Sequence, residues 1–355
     1  MKISHLSPFT TSLIRWYIKE KRDLPWRNSL APYRVWLSEV MLQQTQVDTV
    51  IPYYNRWLES CPDLQCVAEK NIQEILTLWE GLGYYSRCRN FYSAVKEVVK
   101  NHGGNVPSEW KQFRALPGVG DYTAAAVMSI AFHKPLPAID GNVYRVMARV
   151  LGIKHLTPYN KNRIKNRLEK WIDTDHPGDF NQALMDIGAR ICRPNKANCI
   201  GCPLSDFCKA SALGTPNQYP TRKKKKPIPH IKVVAGLVWF KDTFLILQRP
   251  NTAMLGGLWE FPSGKITSAS HPSKELQSIM KNEIGLTVTI GEEIGSVHHV
   301  YSHFSMTFSV FHCFIEHKES LQSHGPFRWI KPSEIPCYPF PKANHKIFDL
   351  LEFSK

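Results

Sequence analysis

Cys192, Cys199, Cys202 and Cys208 stand within seventeen residues, separated by six, two and five positions, while the other five cysteines are scattered singly. Met1 to Lys19 lacks the long apolar core of a signal peptide. Thiols so closely spaced in a reducing compartment are better suited to ligating a metal than to forming disulfides. On chemistry alone, a four-thiolate zinc site and a [4Fe–4S] cluster are both open. No ligand position looks vacant, so the centre reads as structural.

Two carboxylates are candidates for catalysis. If Pro32 opens a helix, Val35 and Trp36 lie one turn before Glu39 and Leu42 one turn after, so the Glu39 carboxyl projects from a largely apolar face. Burial there raises its pKa, and an acid still protonated near neutrality suits general-acid work on a base. The second carboxylate is Asp140, in Asp140-Gly141-Asn142-Val143 ahead of an apolar-periodic run. As an N-cap it also needs no chemistry to explain it.

About twenty residues earlier, Leu116-Pro117-Gly118-Val119-Gly120 separates two helical patterns. The two glycines form a tight interhelical turn, and the backbone N–H groups at the following helix start can hold a phosphate without reading a base.

The elements that position these residues follow from the apolar pattern. From Phe9 to about Leu213 apolar residues recur at helical spacing, with Pro32, Pro52, Gly103-Gly104 and Pro177-Gly178 as breaks. This predicts an all-α domain over 1–213. Residues 214–231 form a linker, rich in proline around the basic run Arg222 to Lys226. Residues 232–355 are α+β: strands are expected at Val233 to Phe240, Phe244 to Gln248 and the alternating Phe304 to Val310, with one clear helix from Ser273 to about Glu283, capped by Gly285.

The length of 355 residues suits two domains. A net charge of +15 with 40 aromatic residues suits a nucleic-acid partner. No stretch reaches the roughly 18 apolar residues that span a bilayer, so no membrane role is expected.

Hairpin, aspartate and cysteine cluster, in this order and spacing, resemble the helix-hairpin-helix DNA glycosylase superfamily. Leu24-Pro25-Trp26-Arg27 and the segment Trp36 to Thr45 sharpen the resemblance to the adenine DNA glycosylases of the MutY type, over essentially the whole chain. The resemblance implies a [4Fe–4S] cluster on the four cysteines. It also implies Glu39 as the acid that protonates adenine at N7, Asp140 as the stabiliser of the sugar cation and Asn142 as its orienting partner. Trp26, Arg27 and Gln182 would line the adenine pocket. Gln44 and Tyr84 would enter the base stack, Thr45 and Leu82 would hold the opposite base, and Gly118 and Gly120 would grip the backbone. At Tyr122, related bifunctional enzymes carry a lysine that forms a Schiff base and nicks the strand; tyrosine cannot, which implies a monofunctional enzyme.

In the second half, Gly264 to Leu286 has the length of a Nudix box, the pyrophosphatase motif. Gly264, Met280, Glu283, Gly285 and Leu286 fit, but Ser270, Ser278, Ile279 and Asn282 stand at its charged positions. Glu283 alone is a poor Mg²⁺ site, so the fold is kept and the hydrolysis lost. The domain then reads as a recognition module, with Tyr301-Ser302-His303 matching the family's Phe-Ser-His loop that contacts 8-oxoguanine.

The expected activity is excision of adenine opposite 8-oxoguanine or guanine in duplex DNA, by a monomer at the nucleoid in a bacterial cytoplasm. A strand-cutting glycosylase for oxidised pyrimidines, a nucleotide pyrophosphatase and a non-catalytic iron–sulfur DNA-binding protein are the alternatives. Tyr122 and the second domain oppose the first, Ile279 and Asn282 the second, and the Glu39–Asp140 pair the third.

Overall fold

The computed structural model describes residues 6–221, 227–266, 271–301, 303–318, 321 and 325–351. Its contacts define two compact units that do not follow chain order: Met1–Ala68 with Asn90–Lys224, and Glu69–Arg89 with Lys225–Lys355. Among the described residues no helix is long and apolar enough to cross a membrane.

The helices of the first half, in chain order, are α1 (Pro8–Glu20), α2 (Pro32–Leu42), α3 (Val47–Ser60), α4 (Leu64–Glu69), α5 (Ile72–Trp79) and α6 (Tyr85–Asn101). There follow α7 (Trp110–Ala115), α8 (Asp121–Ala131), α9 (Gly141–Leu151), α10 (Pro158–Trp171), α11 (Pro177–Asp186) and the short α12 (Lys209–Ala212). Proline at the first position opens α1, α2, α10 and α11, where its missing N–H costs nothing. Pro52 does not break the pattern as expected but lies inside α3. It is exposed there, so water can satisfy the carbonyl one turn back that loses its donor.

In the first unit one apolar cluster gathers Leu13, Val143, Met147, Ile164, Phe180 and Leu184 from α1 and α9 to α11. A second contact set is aromatic: Trp36 of α2 meets Phe91 and Phe113 edge-on at 4.8 and 5.1 Å. Each fully buried side chain of this kind contributes roughly 1.5–3 kcal/mol, and Trp36 anchors the helix that carries Glu39.

The second unit is built on a mixed sheet of β1 (His230–Phe240), β2 (Thr243–Gln248), β3 (Trp259–Glu260), β4 (Ser263–Lys265), β5 (Thr289–Val300), β6 (Ser305–Phe314) and β7 (Phe327–Ile330). β1 and β6 run parallel at its centre, and the remaining pairs are antiparallel. Alternation along β1 and β6 sends Ala235, Leu237, Phe308 and Val310 to one face, Val234, Val238, Phe311 and Cys313 to the other. Helix α13 (Pro272–Ile279) and its π-helical continuation to Ile284 cover the latter face, ending at Gly285 with φ 77°. The other face is covered by α14 (Lys342–Leu350). The sequence reading missed α14, whose short run mixes polar and aromatic residues. Strand β1 also starts at His230, two residues inside the expected linker. The basic run at 222–226 lies outside the described residues.

Candidate active site

Glu39 sits on α2 with only 5 % of its surface exposed, as the apolar face around it predicts. Burial raises its pKa to about 7; the Tyr122 hydrogen bond pulls it down, and the negative charge of Asp140 pushes it up. Tyr122, on the first turn of α8, donates from its hydroxyl to Glu39 Oε2 at 2.8 Å. Its own pKa is pushed well above 10, first by burial and then by the Glu39 and Asp140 charges. The phenol therefore keeps its proton and serves Glu39 as a donor.

Asp140 is the N-cap of α9, and capping leaves it available for chemistry. Its Oδ1 accepts from Val143 N at 2.7 Å, and Oδ2 accepts from Asn142 Nδ2 at 2.9 Å. Asn142 Oδ1 in turn accepts from Arg145 Nη1 at 2.9 Å, and Arg145 donates to Gly188 O and Cys192 O. Asn142 thus has a fixed orientation.

Glu39, Tyr122, Asp140 and Asn142 line one cleft of about 700 Å³ with Trp26, Arg27 and Gln182, the residues expected of a base pocket, and with Thr45. Arg27 is held by Asp186, which is wholly buried: Arg27 Nη1 donates to Asp186 Oδ2 at 2.8 Å and Nη2 to Oδ1 at 3.1 Å, while Arg22 donates to Oδ1. Burial alone would raise the Asp186 pKa, but the Arg27 and Arg22 bonds outweigh it and hold the carboxyl below its ordinary range. Sequence reasoning missed Asp186 and Arg22. Gln44, just past the end of α2, is exposed and takes a left-handed φ of 59°.

In the hairpin between α7 and α8, Gly118 has φ 74°, and a Cβ there would stand 2.6 Å from that of Asn90. Gly120 caps α8 without a side-chain bond, leaving the first N–H groups of the helix for an external acceptor.

All four cluster cysteines line one small cavity with Arg149, and none is in a disulfide. Arg149 is buried and ties the start of the loop down: it donates to Cys192 O, Cys192 Sγ at 3.1 Å, Arg193 O and Pro194 O, and to Tyr219 O further along the chain. Four thiols beside a buried guanidinium donor fit a thiolate-bound metal centre, and in a [4Fe–4S] cluster each of them would take its own iron.

In the second unit, Gly81, Gly83 and Tyr84 carry positive φ values of 91°, 75° and 50°, so the loop before α6 is tightly wound. Tyr84 is 38 % exposed and stacks with the Arg87 guanidinium at 5.1 Å, while Leu82 is buried. Between β5 and β6, Tyr301 N donates to Phe304 O at 2.8 Å, and the rings of these two lie 4.9 Å apart. His303 is exposed; Ser302 lies outside the described residues. In the Nudix-like stretch, Ile279 packs on Gly264, where a Cβ would come within 2.6 Å of its Cδ1. Ser270 lies outside the described residues.

A buried, protonatable glutamate that shares a cleft with an N-capping aspartate, in a chain carrying a glycine hairpin, is the site of a base-excision DNA glycosylase. Residues 37–174 match the model of the HhH-GPD superfamily of base excision DNA repair proteins, and residues 233–350 that of the NUDIX domain. The chain is 35 % identical to the adenine DNA glycosylase of Rattus norvegicus over 99 % of its own length and 79 % of the relative's, and 33 % identical to that of Mus musculus over the same shares. Among solved structures, a thermostable thymine-DNA glycosylase aligns with 58 % of this chain and 95 % of its own at TM-score 0.54 and 29 % identity. The chain belongs to the adenine DNA glycosylase family.

Proposed function

We propose that this glycosylase removes adenine paired with 8-oxoguanine, or with guanine, from duplex DNA without cutting the strand. The observation that carries the chemistry is Glu39, a carboxyl with a pKa near 7 in the same cleft as Asp140. Glu39 gives its proton to adenine N7, and the C1′–N9 bond breaks with its electron pair leaving on the base. Tyr122 steadies the Glu39 carboxylate that results. The Asp140 carboxylate, held by Asn142 and Val143, stabilises the cation at C1′. Water then adds to C1′, and its proton returns to Glu39, restoring the acid and leaving an abasic site. This division of labour parallels the paired carboxylates of glycosidases.

Extruding the adenine costs a few kcal/mol in lost stacking and pairing. Gln44 and Tyr84 fill the gap by analogy with the family, both standing at strained, exposed positions. Thr45 and Leu82 hold the opposite base, Gly118 and Gly120 the backbone, and Tyr301 to His303 contact the 8-oxoguanine. Cys192, Cys199, Cys202 and Cys208 hold a [4Fe–4S] cluster, which braces the loop bound by Arg149 and supplies no step of the reaction.

The test is adenine release by the purified protein from duplexes with adenine opposite 8-oxoguanine and opposite guanine, in parallel with Glu39→Gln. Release from both, faster opposite the lesion and abolished in the variant, is expected. No release by the wild type, or full activity in Glu39→Gln, removes the proposal.

A further inference from the structure

Helix α5 comes from the first half of the chain but packs with the second unit. Three residues spaced along one face make the contact, as positions 73, 76 and 80 must on an α-helix. Gln73 uses both ends of its amide: Oε1 accepts from Trp259 Nε1 at 2.9 Å, and Nε2 donates to Gly257 O at 3.2 Å. Leu76 fills the space beside Gly257, where a Cβ would lie 3.1 Å from its Cδ1. At the C-terminal end, Glu80 Oε1 accepts from Phe340 N and from His345 Nε2, each at 2.6 Å. Arg89 of α6 adds a bond to Gly256 O at 2.6 Å.

Glu80 is also the residue at which α5 stops, and Gly81 to Tyr84 begin immediately after it. That loop is held from within: Trp79 Nε1 and Arg87 Nη2 both donate to Gly83 O, and the Tyr85 hydroxyl accepts from Gly81 N. The backbone entering the loop is therefore fixed by a side chain whose partners are Phe340 and His345.

We infer that Gln73 and Glu80 are positioning residues that set the Gly81–Tyr84 loop according to the placement of the lesion-reading domain, and so govern preference for 8-oxoguanine over guanine. The inference rests on the lesion-reading role proposed above. Neither residue touches a reacting atom. Their effect is confined to how firmly the loop is presented to the base opposite the adenine.

The test compares wild type, Glu80→Ala, Glu80→Gln and Gln73→Glu as full-length protein. Two readouts are taken: single-turnover adenine release opposite 8-oxoguanine and opposite guanine, and amide exchange of residues 80–84 without DNA. In Glu80→Ala the ratio of the two rates is expected to fall roughly tenfold, the loss of a charge-assisted hydrogen bond, with the rate opposite guanine within about twofold of wild type. Exchange in the loop should rise. Glu80→Gln, which keeps an acceptor for Phe340 N, should recover part of the ratio; Gln73→Glu, which keeps the Trp259 acceptor but loses the Gly257 donor, should lower it. An unchanged ratio in both Glu80→Ala and Gln73→Glu overturns the inference. A wild type without any preference for 8-oxoguanine instead defeats the functional reading, and unchanged exchange in Glu80→Ala would then defeat the positioning claim separately.

Discussion

The Tyr122 hydroxyl donates to Glu39 Oε2 at 2.8 Å, so a phenol from the first turn of α8 is bonded to the buried carboxyl of the cleft. This bond favours the ionised carboxylate and lowers the Glu39 pKa against the larger effect of burial. Tyr122→Phe should therefore raise that pKa above about 7. The alkaline limb of kcat/KM, where the acid loses its proton, is expected to move up by roughly one pH unit. A limb that stays in place would show that another group sets it.

Burial of Glu39 has a stability consequence of definite sign. The carboxyl has an ordinary pKa of 4.5 when unfolded and about 7 when folded, so between these values only the unfolded chain releases the proton. Stability is lost progressively over that interval and the loss is constant above it. Glu39→Gln removes the titration, and thermal melts should show it more stable than wild type at pH 8 by roughly 3 kcal/mol at most. The difference should vanish near pH 4.5.

Asp140→Asn should separate capping from catalysis. Asparagine accepts from Val143 N as well as aspartate does, so urea unfolding is expected to change by less than about 1 kcal/mol. Adenine release should fall by roughly 10²–10³-fold, because the charge facing the sugar cation is gone. A large loss of stability with the same loss of rate would make the cap the sole explanation.

Cys202→Ser removes one of the four thiols lining the cavity beside Arg149. Iron content and visible absorbance of the purified protein should fall sharply, with a lower melting temperature, since ligand binding to the folded state alone adds to its stability. Zinc in place of iron in the wild type, measured by elemental analysis, would overturn the cluster assignment.

The parts legible in the sequence were those fixed by local periodicity. The position of Glu39 follows from helical spacing around Trp36 and Leu42, and the cap at Asp140 from residue type and the apolar run behind it. The pairing of Arg27 with Asp186 spans 159 residues and leaves no local trace. The same holds for α5, whose face at Gln73, Leu76 and Glu80 looks like any amphipathic surface until its partners at 257, 259, 340 and 345 are known. Local spacing identifies a residue's environment when its own helix supplies it; environments assembled from distant segments need the fold.

Ile279 stands where the pyrophosphatase motif carries a carboxylate, and its side chain fills the space over Gly264 on β4. A glutamate introduced at 279 would bury a charge there, with Glu283 as a neighbouring acid to share a metal ion but the uncharged Asn282 before it. Such a charge would be destabilising before any metal could offset it. On the recognition role proposed for this domain, apolar packing over Gly264 is what keeps the sheet closed to a solvated metal ligand at position 279.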